Sequence, residues 1–283
     1  MYIPGMPRNI NPLRISYARR EVSHKDVWED LLKRIEHPDR NTLAFAEAMV
    51  LPSFVKAARN WPPGYRLLMK SDLKIDITTG PSDTFTGSGK KIGGLTEWHY
   101  PDKAVICINA YGRYSEDYFN HVAYHEIMHA ISHLAVKDTK NKINILSTKH
   151  YPALHKLHKR YIADQNKANK EFDEQKKILE KKYNNSENTE EIYVDLYKAY
   201  IKAMDRHNCW AARKLLFVNS SSAKSYFMHG LTQMGSNGVT DEDEILAEGL
   251  MLYFGSDKQR NHLKTKEPEL YKLIESEIVP FIK

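Results

Sequence analysis

The chain has 283 residues, 41% of them hydrophobic, enough to bury one substantial core or two small ones. Its 42 basic and 36 acidic residues leave a net charge of +6, which favours an acidic partner or an anionic surface but is too diffuse to single out nucleic acid. Two cysteines, Cys107 and Cys209, exclude a disulfide framework.

At the start, Met1 to Tyr17 lacks the apolar core of a secretory signal, and no later stretch is long and apolar enough to cross a bilayer. The expectation is a chain made in the cytoplasm with no membrane span, with delivery by a specialised secretion system left open. Residues 1–40 read as a polar lead with one short helix near Lys25 to Ile35, and Asn41 to Asn60 as an amphipathic helix interrupted by Pro52. From Leu67 to Asn109 strand signals dominate, with a Gly-rich turn between Thr86 and Gly94; this is the expected sheet. Gly89-Lys90 is not a phosphate loop, because Lys91 stands where Ser or Thr is required. Cys107 lies in the apolar run Ala104 to Ile108, which predicts a buried free thiol. The strand from Gly94 to Asn109, broken by a turn at Pro101-Asp102, is expected to offer an edge to an extended peptide, whose backbone hydrogen bonds are independent of its sequence. Trp98, His99 and Tyr100 either line that cleft or are ordinary sheet-face residues.

Ser115, followed by Glu116 and Asp117, caps a helix that runs to Val136 and carries Phe119, Val122, Ala123, Ile127, Met128, Ile131 and Leu134. Within it stands His125-Glu126-Ile127-Met128-His129. Residues four apart share a helix face, so the two imidazoles can converge on one tetrahedral metal while Glu126 sits beside a water bound there. A largely buried helix must give such groups partners, since desolvated and unpaired they cost several kcal/mol, and a metal supplies one. His121 and His133 extend the stripe at four-residue intervals. Because catalysis needs an open coordination position, they are assigned to packing or to supporting roles.

Between Pro152 and Leu216 the chain is rich in Lys, Glu, Tyr and Leu, and the polar turn Asn184 to Asn188 divides it into a charged helical hairpin. The hairpin either meets a protein partner, caps the cleft, or is a solvated arm. Beyond it, Thr240 caps a second helix, with Asp243 at the capping-box position, that continues to Phe254. Glu244 and Glu248 share one of its faces. The metzincin arrangement is excluded, because its third ligand and its glycine would fall on Ala135 and Ser132. Glu248 is the one charge in the run from Ile245 to Phe254 and needs a cation or an imidazole N–H beside it. Glu244 is therefore read as the third zinc ligand and Glu248 as the acceptor that orients a ligand imidazole, with the exchanged assignment left open.

With His125 to His129, the E-x-x-A-E pattern at Glu244, Ala247 and Glu248, and the closing stretch Tyr253 to Lys283, the chain resembles the lethal-factor-like zinc metallopeptidases, a gluzincin group that includes the catalytic domain of anthrax lethal factor. Upstream, Leu51 to Lys56 and the strand at Leu73 to Ile77 follow that family's order without a diagnostic motif. The resemblance implies Glu244 as third ligand, Zn2+ as cofactor, and a zincin-like α+β fold: a small mixed sheet with an edge strand for substrate, the H-E-x-x-H helix, a helical C-terminal half and an inserted hairpin. Read along its length, the chain divides into a lead (1–40), a subdomain with the sheet and motif helix (41–151), the hairpin (152–216) and a helical subdomain with the third ligand (217–283). One departure stands out. Family members commonly carry an oxyanion-donating tyrosine a few residues before the third ligand, where this chain has Met234 or Asn237; Tyr226 and His229 are the nearest replacements.

The expected function is a zinc-dependent endopeptidase of protein or peptide substrates, with Glu126 as general base, and a delivered toxin or effector as its setting. Two rivals remain. One is a SprT-like, DNA-associated protease in which His150, preceding the stretch Tyr151 to His155, completes the site; the absence of a nearby zinc ribbon counts against it. The other is a non-catalytic zinc-containing interaction module, against which the presence of Glu126 argues.

Overall fold

The computed structural model describes residues 22–79, 93–99, 103–111, 116–134, 137–138, 143–144, 151–183, 189–207 and 242–282. These form a mixed α+β structure, mostly helical, built around a three-stranded sheet. Helix α1 (His24–Leu32) starts where the Ser23 hydroxyl accepts from the Asp26 amide. After it the chain lies along the first strand, the Glu36 amide donating to Ile75 O at 2.8 Å and the Ile75 amide to Arg34 O at 2.8 Å. Asp39 caps α2 (Arg40–Phe45), accepting from the Thr42 amide at 2.7 Å. A π turn (Ala46–Val50) then leads into α3 (Leu51–Asn60). Pro52 thus does not break the helical path: the wider turn and its place in the first turn of α3 absorb the donor that proline lacks. Helix α4 (Pro62–Lys70) completes the N-terminal layer.

Strand β1 (Asp72–Thr78) alternates, burying Leu73, Ile75 and Ile77 and turning Lys74 and Asp76 outward. It pairs in parallel with β3 (Lys103–Asn109), Ile75 opposite Ile106, while β2 (Gly94–His99) pairs antiparallel with the other side of β3, Thr96 opposite Ile106. The single edge strand expected over Gly94 to Asn109 is therefore two strands with different places. β3 is the centre of the sheet, and only β2 is an edge. The reason is in the side chains: Ala104, Ile106, Cys107 and Ile108 are all buried, and a strand buried on both faces belongs inside a sheet. Cys107 is free, as its surroundings predicted, and burial pushes its thiol up to about 12.

Helix α5 (Glu116–Leu134) packs against β2 and β3, with α3 also against it, and buries Phe119, Val122, Ala123, Tyr124, Ile127, Met128, Ala130, Ile131 and Leu134. Each fully buried Ile, Leu or Met of this set contributes about 1.5–3 kcal/mol. A two-stranded ribbon, β4 (Lys137–Asp138) with β5 (Ile143–Asn144), follows; nothing in the composition signalled it.

Within the stretch read as a hairpin stand two packed helices, α6 (Tyr151–Lys182) and α7 (Thr189–Arg206), while the turn at 184–188 and residues 208–216 lie outside the described residues. The two ends of this pair differ. Leu154, Leu157 and Tyr161 belong to the main core, whereas farther out Ala168, Tyr200, Ala203 and Met204 bury against the facing helix, with Phe172 edge-on to Tyr200. Glu171 fastens the base of α7, accepting from Arg206 at 2.5 Å and lying 2.8 Å from His207.

Helix α8 (Glu242–Tyr253) is buried from Ile245 to Leu252. The carbonyl just past its end is satisfied from α5 and α3: Tyr124 Oη donates to Phe254 O at 2.8 Å and Asn60 Nδ2 to the same oxygen at 2.7 Å, while Trp61 stacks on Phe254 with ring centroids 4.1 Å apart. Gly249 lets the closing helices approach, since a Cβ there would meet Ile274 Cδ1 at 2.8 Å. Those helices are α9 (Asp257–Lys266), entered through a capping box of Ser256 and Gln259, and α10 (Pro268–Leu273), which continues into a π turn and a short 3-10 turn. No helix among the described residues is long and apolar enough to cross a membrane.

Candidate metal centre

Helices α5 and α8 face each other, and the polar residues of both meet where they do. The four-residue spacing puts His125 and His129 on one face of α5, with the two Nε2 atoms 3.0 Å apart. From α8, the Glu244 carboxylate reaches both: Oε2 lies 3.0 Å from His125 Nε2, and Oε1 lies 3.4 Å from His129 Nε2. In a tetrahedral zinc site with bonds of about 2.0–2.1 Å, neighbouring ligand atoms sit ~3.3 Å apart. The observed triangle has edges of that size. The His125, Glu126 and His129 residues are nearly buried, whereas the Glu244 side chain is 37% exposed, so the triangle opens to solvent on the α8 side. Burial alone would raise the pKa of Glu244; its contacts with His125 and His129 outweigh this and hold the carboxyl well below the ordinary carboxylate range.

The opposite face of the His125 ring meets Glu248. Its Oε1 lies 3.1 Å from His125 Nδ1 and 3.8 Å from His121 Nε2. Buried to 2% exposure, this carboxylate favours a proton on Nδ1 and thereby presents Nε2 as a lone pair to Glu244 and His129. Groups that converge in this way need a proton or a metal ion among them, and the donor set is one that zinc takes: two imidazoles and one carboxylate. His133 Nε2 is 4.0 Å from Asp243 Oδ2, at the rim. His121 and His133 therefore lie beside acidic side chains of α8, outside the triangle.

Glu126, in the same turn of α5, is held from the sheet. Thr96 Oγ1 on β2 lies 2.7 Å from Glu126 Oε2 and 3.0 Å from Glu126 O, in position to donate to either oxygen. The neighbouring Gly94 leaves space for this, because a Cβ there would meet Val122 Cγ1 at 2.6 Å and Glu126 Cγ at 2.9 Å. Sequence reasoning found neither Thr96 nor Gly94. A Gly-Leu-Thr run entering a strand gives the only local hint, and it does not name the helix side chain opposite.

Tyr226, His229, Met234 and Asn237, with the caps Ser115 and Thr240, lie outside the described residues, and so do His150, Tyr100, Cys209 and the Gly89-Lys90 turn. The side chains of Trp98 and His99 do as well. His155 is described, and it stands with His158 and Glu242 in a separate cluster. No family model matches the chain, and neither a curated protein nor a solved structure matches it.

Proposed function

We propose that the chain is a zinc-dependent endopeptidase of the lethal-factor-like, zincin type. The observation that carries this reading is the triangle of His125 Nε2, His129 Nε2 and the Glu244 carboxylate, with a buried carboxylate, Glu126, in the same turn of α5 and held from β2. A purely structural site has no use for that extra carboxylate. His125, His129 and Glu244 would hold a zinc ion, which would supply Lewis acidity for the scissile carbonyl and for the attacking water. Glu126 accepts the proton that water loses as its oxygen bonds to the carbonyl carbon, and delivers it to the amide nitrogen as the C–N bond breaks. Glu248 keeps the His125 imidazole in the right tautomer and orientation throughout. Thr96 holds the Glu126 carboxylate against the sheet, limiting its rotation.

Substrate positioning falls to β2. Among the described residues no strand pairs with its outer edge, so its backbone N–H and C=O groups are available to an extended peptide running beside the metal triangle. The other edge of the sheet is partly covered by the Arg34 to Glu36 segment. An edge of this kind takes an extended chain, which makes protein or peptide the proposed substrate class.

The reading is tested with purified full-length chain on an unstructured protein such as reduced, carboxymethylated casein. Hydrolysis at discrete peptide bonds is expected, abolished by 1,10-phenanthroline and restored by added zinc. Bound zinc without any cleavage of a diverse peptide library would instead favour the non-catalytic module. A subtler variant tests the hold on the base. Thr96→Val removes one hydrogen bond worth about 1–1.5 kcal/mol, so kcat is expected to fall about 10-fold with zinc content unchanged. An unchanged kcat would remove Thr96 from the mechanism.

A further inference from the structure

We infer that His155, His158 and Glu242 form a second site for a divalent transition metal of the zinc type, separate from the triangle of His125, His129 and Glu244. His155 and His158 are three residues apart on α6 and so share one of its faces. Opposite them, Glu242 opens α8. Its Oε1 lies 2.6 Å from His155 Nδ1 and 3.3 Å from His158 Nδ1, and one donor atom from each of the three residues falls within a common 4.8 Å. Two imidazole nitrogens and a carboxylate oxygen are the donors that a borderline-soft ion such as zinc takes, and only a small adjustment separates these distances from the edges of a zinc tetrahedron.

The surroundings resemble a binding pocket more than a surface ion pair. Glu242 and His158 are 12% and 15% exposed in their side chains, whereas His155 is 42% exposed, so the cluster is closed behind and accessible at one wall. Both imidazoles present the same atom, Nδ1, to one carboxylate oxygen. Protons alone can hold that arrangement only if both Nδ1 atoms carry hydrogen. An ion bonded to the two Nδ1 lone pairs and Glu242 removes the need for both protons.

Its position gives the ion a role. Glu242, Asp243 and Glu244 are successive residues in the first turn of α8, and they point at His155 with His158, at His133, and at His125 with His129 respectively. A metal at Glu242 would clamp the start of α8 to α6 and fix the turn that delivers Glu244 to the first site. This inference does not rest on the endopeptidase reading, because a second ion is counted whether or not the chain hydrolyses anything.

The test is equilibrium dialysis of the full chain against micromolar free Zn2+, with the metal counted by plasma mass spectrometry. About two zinc ions per chain are expected, falling to about one in a His155→Ala/His158→Ala variant and to about one, held at the other site, in a His125→Ala/His129→Ala variant. An anomalous difference map at the zinc edge, collected on wild-type crystals grown with zinc, should place density among His155, His158 and Glu242, and it serves if either variant fails to fold. One zinc per wild-type chain, or two in the His155→Ala/His158→Ala variant, overturns the inference, as does a map with density only between α5 and α8. In that case the cluster is a hydrogen-bonded helix clasp.

Discussion

Glu126→Gln is expected to lower kcat/KM for peptide hydrolysis by a factor of about 10²–10⁴, the range that a positioned general base supplies, while zinc content stays at the wild-type level. The geometry separates these two outcomes. Glu126 lies between His125 and His129 in sequence but is held by Thr96 and is not one of the three converging donors, so the amide replaces it without removing any of them. It also fits the same space beside Gly94, where a larger or branched replacement would press on β2. What the amide cannot do is accept the water proton. Plasma mass spectrometry for zinc and initial rates on a fluorogenic peptide read the two effects separately. Wild-type rates in the variant would remove Glu126 from the chemistry, and loss of zinc would show that it had been mistaken for a base when it is a ligand.

The parts of this site that could be read from the sequence are those that a single helix brings together. His125, Glu126 and His129 are readable because a helical turn fixes their relative positions before any packing occurs. Glu248 stands out for a different reason: a carboxylate in a run of buried residues, here 2% exposed, is costly enough to need an identifiable partner, and Glu244 is found from it as the carboxylate one turn earlier on the same face. By contrast, Thr96 meets Glu126 across 30 positions of sequence, and His155 meets Glu242 across 87. Contacts of that kind depend on how sheet and helices pack, which residue spacing does not encode. The sheet shows the same division. Alternation in Leu73, Ile75 and Ile77 marks β1, and the run at Ala104 to Ile108 marks a buried strand, but their parallel pairing places β3 in the middle and leaves β2 as the edge. The helix containing Pro52 was legible as a helix with an interruption, and the π turn that accommodates the proline was not.

The two carboxylates of α8 should differ sharply when each is removed. Glu244 approaches both His125 Nε2 and His129 Nε2, at 3.0 and 3.4 Å, so it occupies a corner of the site itself; Glu248 approaches only the far nitrogen of His125, at 3.1 Å. If Glu244 is a ligand, Glu244→Ala removes it together with the negative charge that would offset the ion, and zinc affinity at this site is expected to fall by more than the ~100-fold limit for loss of a supporting partner. Glu248→Ala is expected to weaken zinc by about 10–100-fold, because His125 keeps its lone pair but loses the group that fixes its tautomer and ring orientation. Competition against a chelator of known zinc affinity, done in the His155→Ala/His158→Ala background so that only the first site is counted, measures both. If Glu248→Ala loses far more affinity than Glu244→Ala, the ligand is Glu248 and the two roles exchange. If neither variant changes the affinity, the third ligand comes from elsewhere in the chain and the gluzincin reading fails with it.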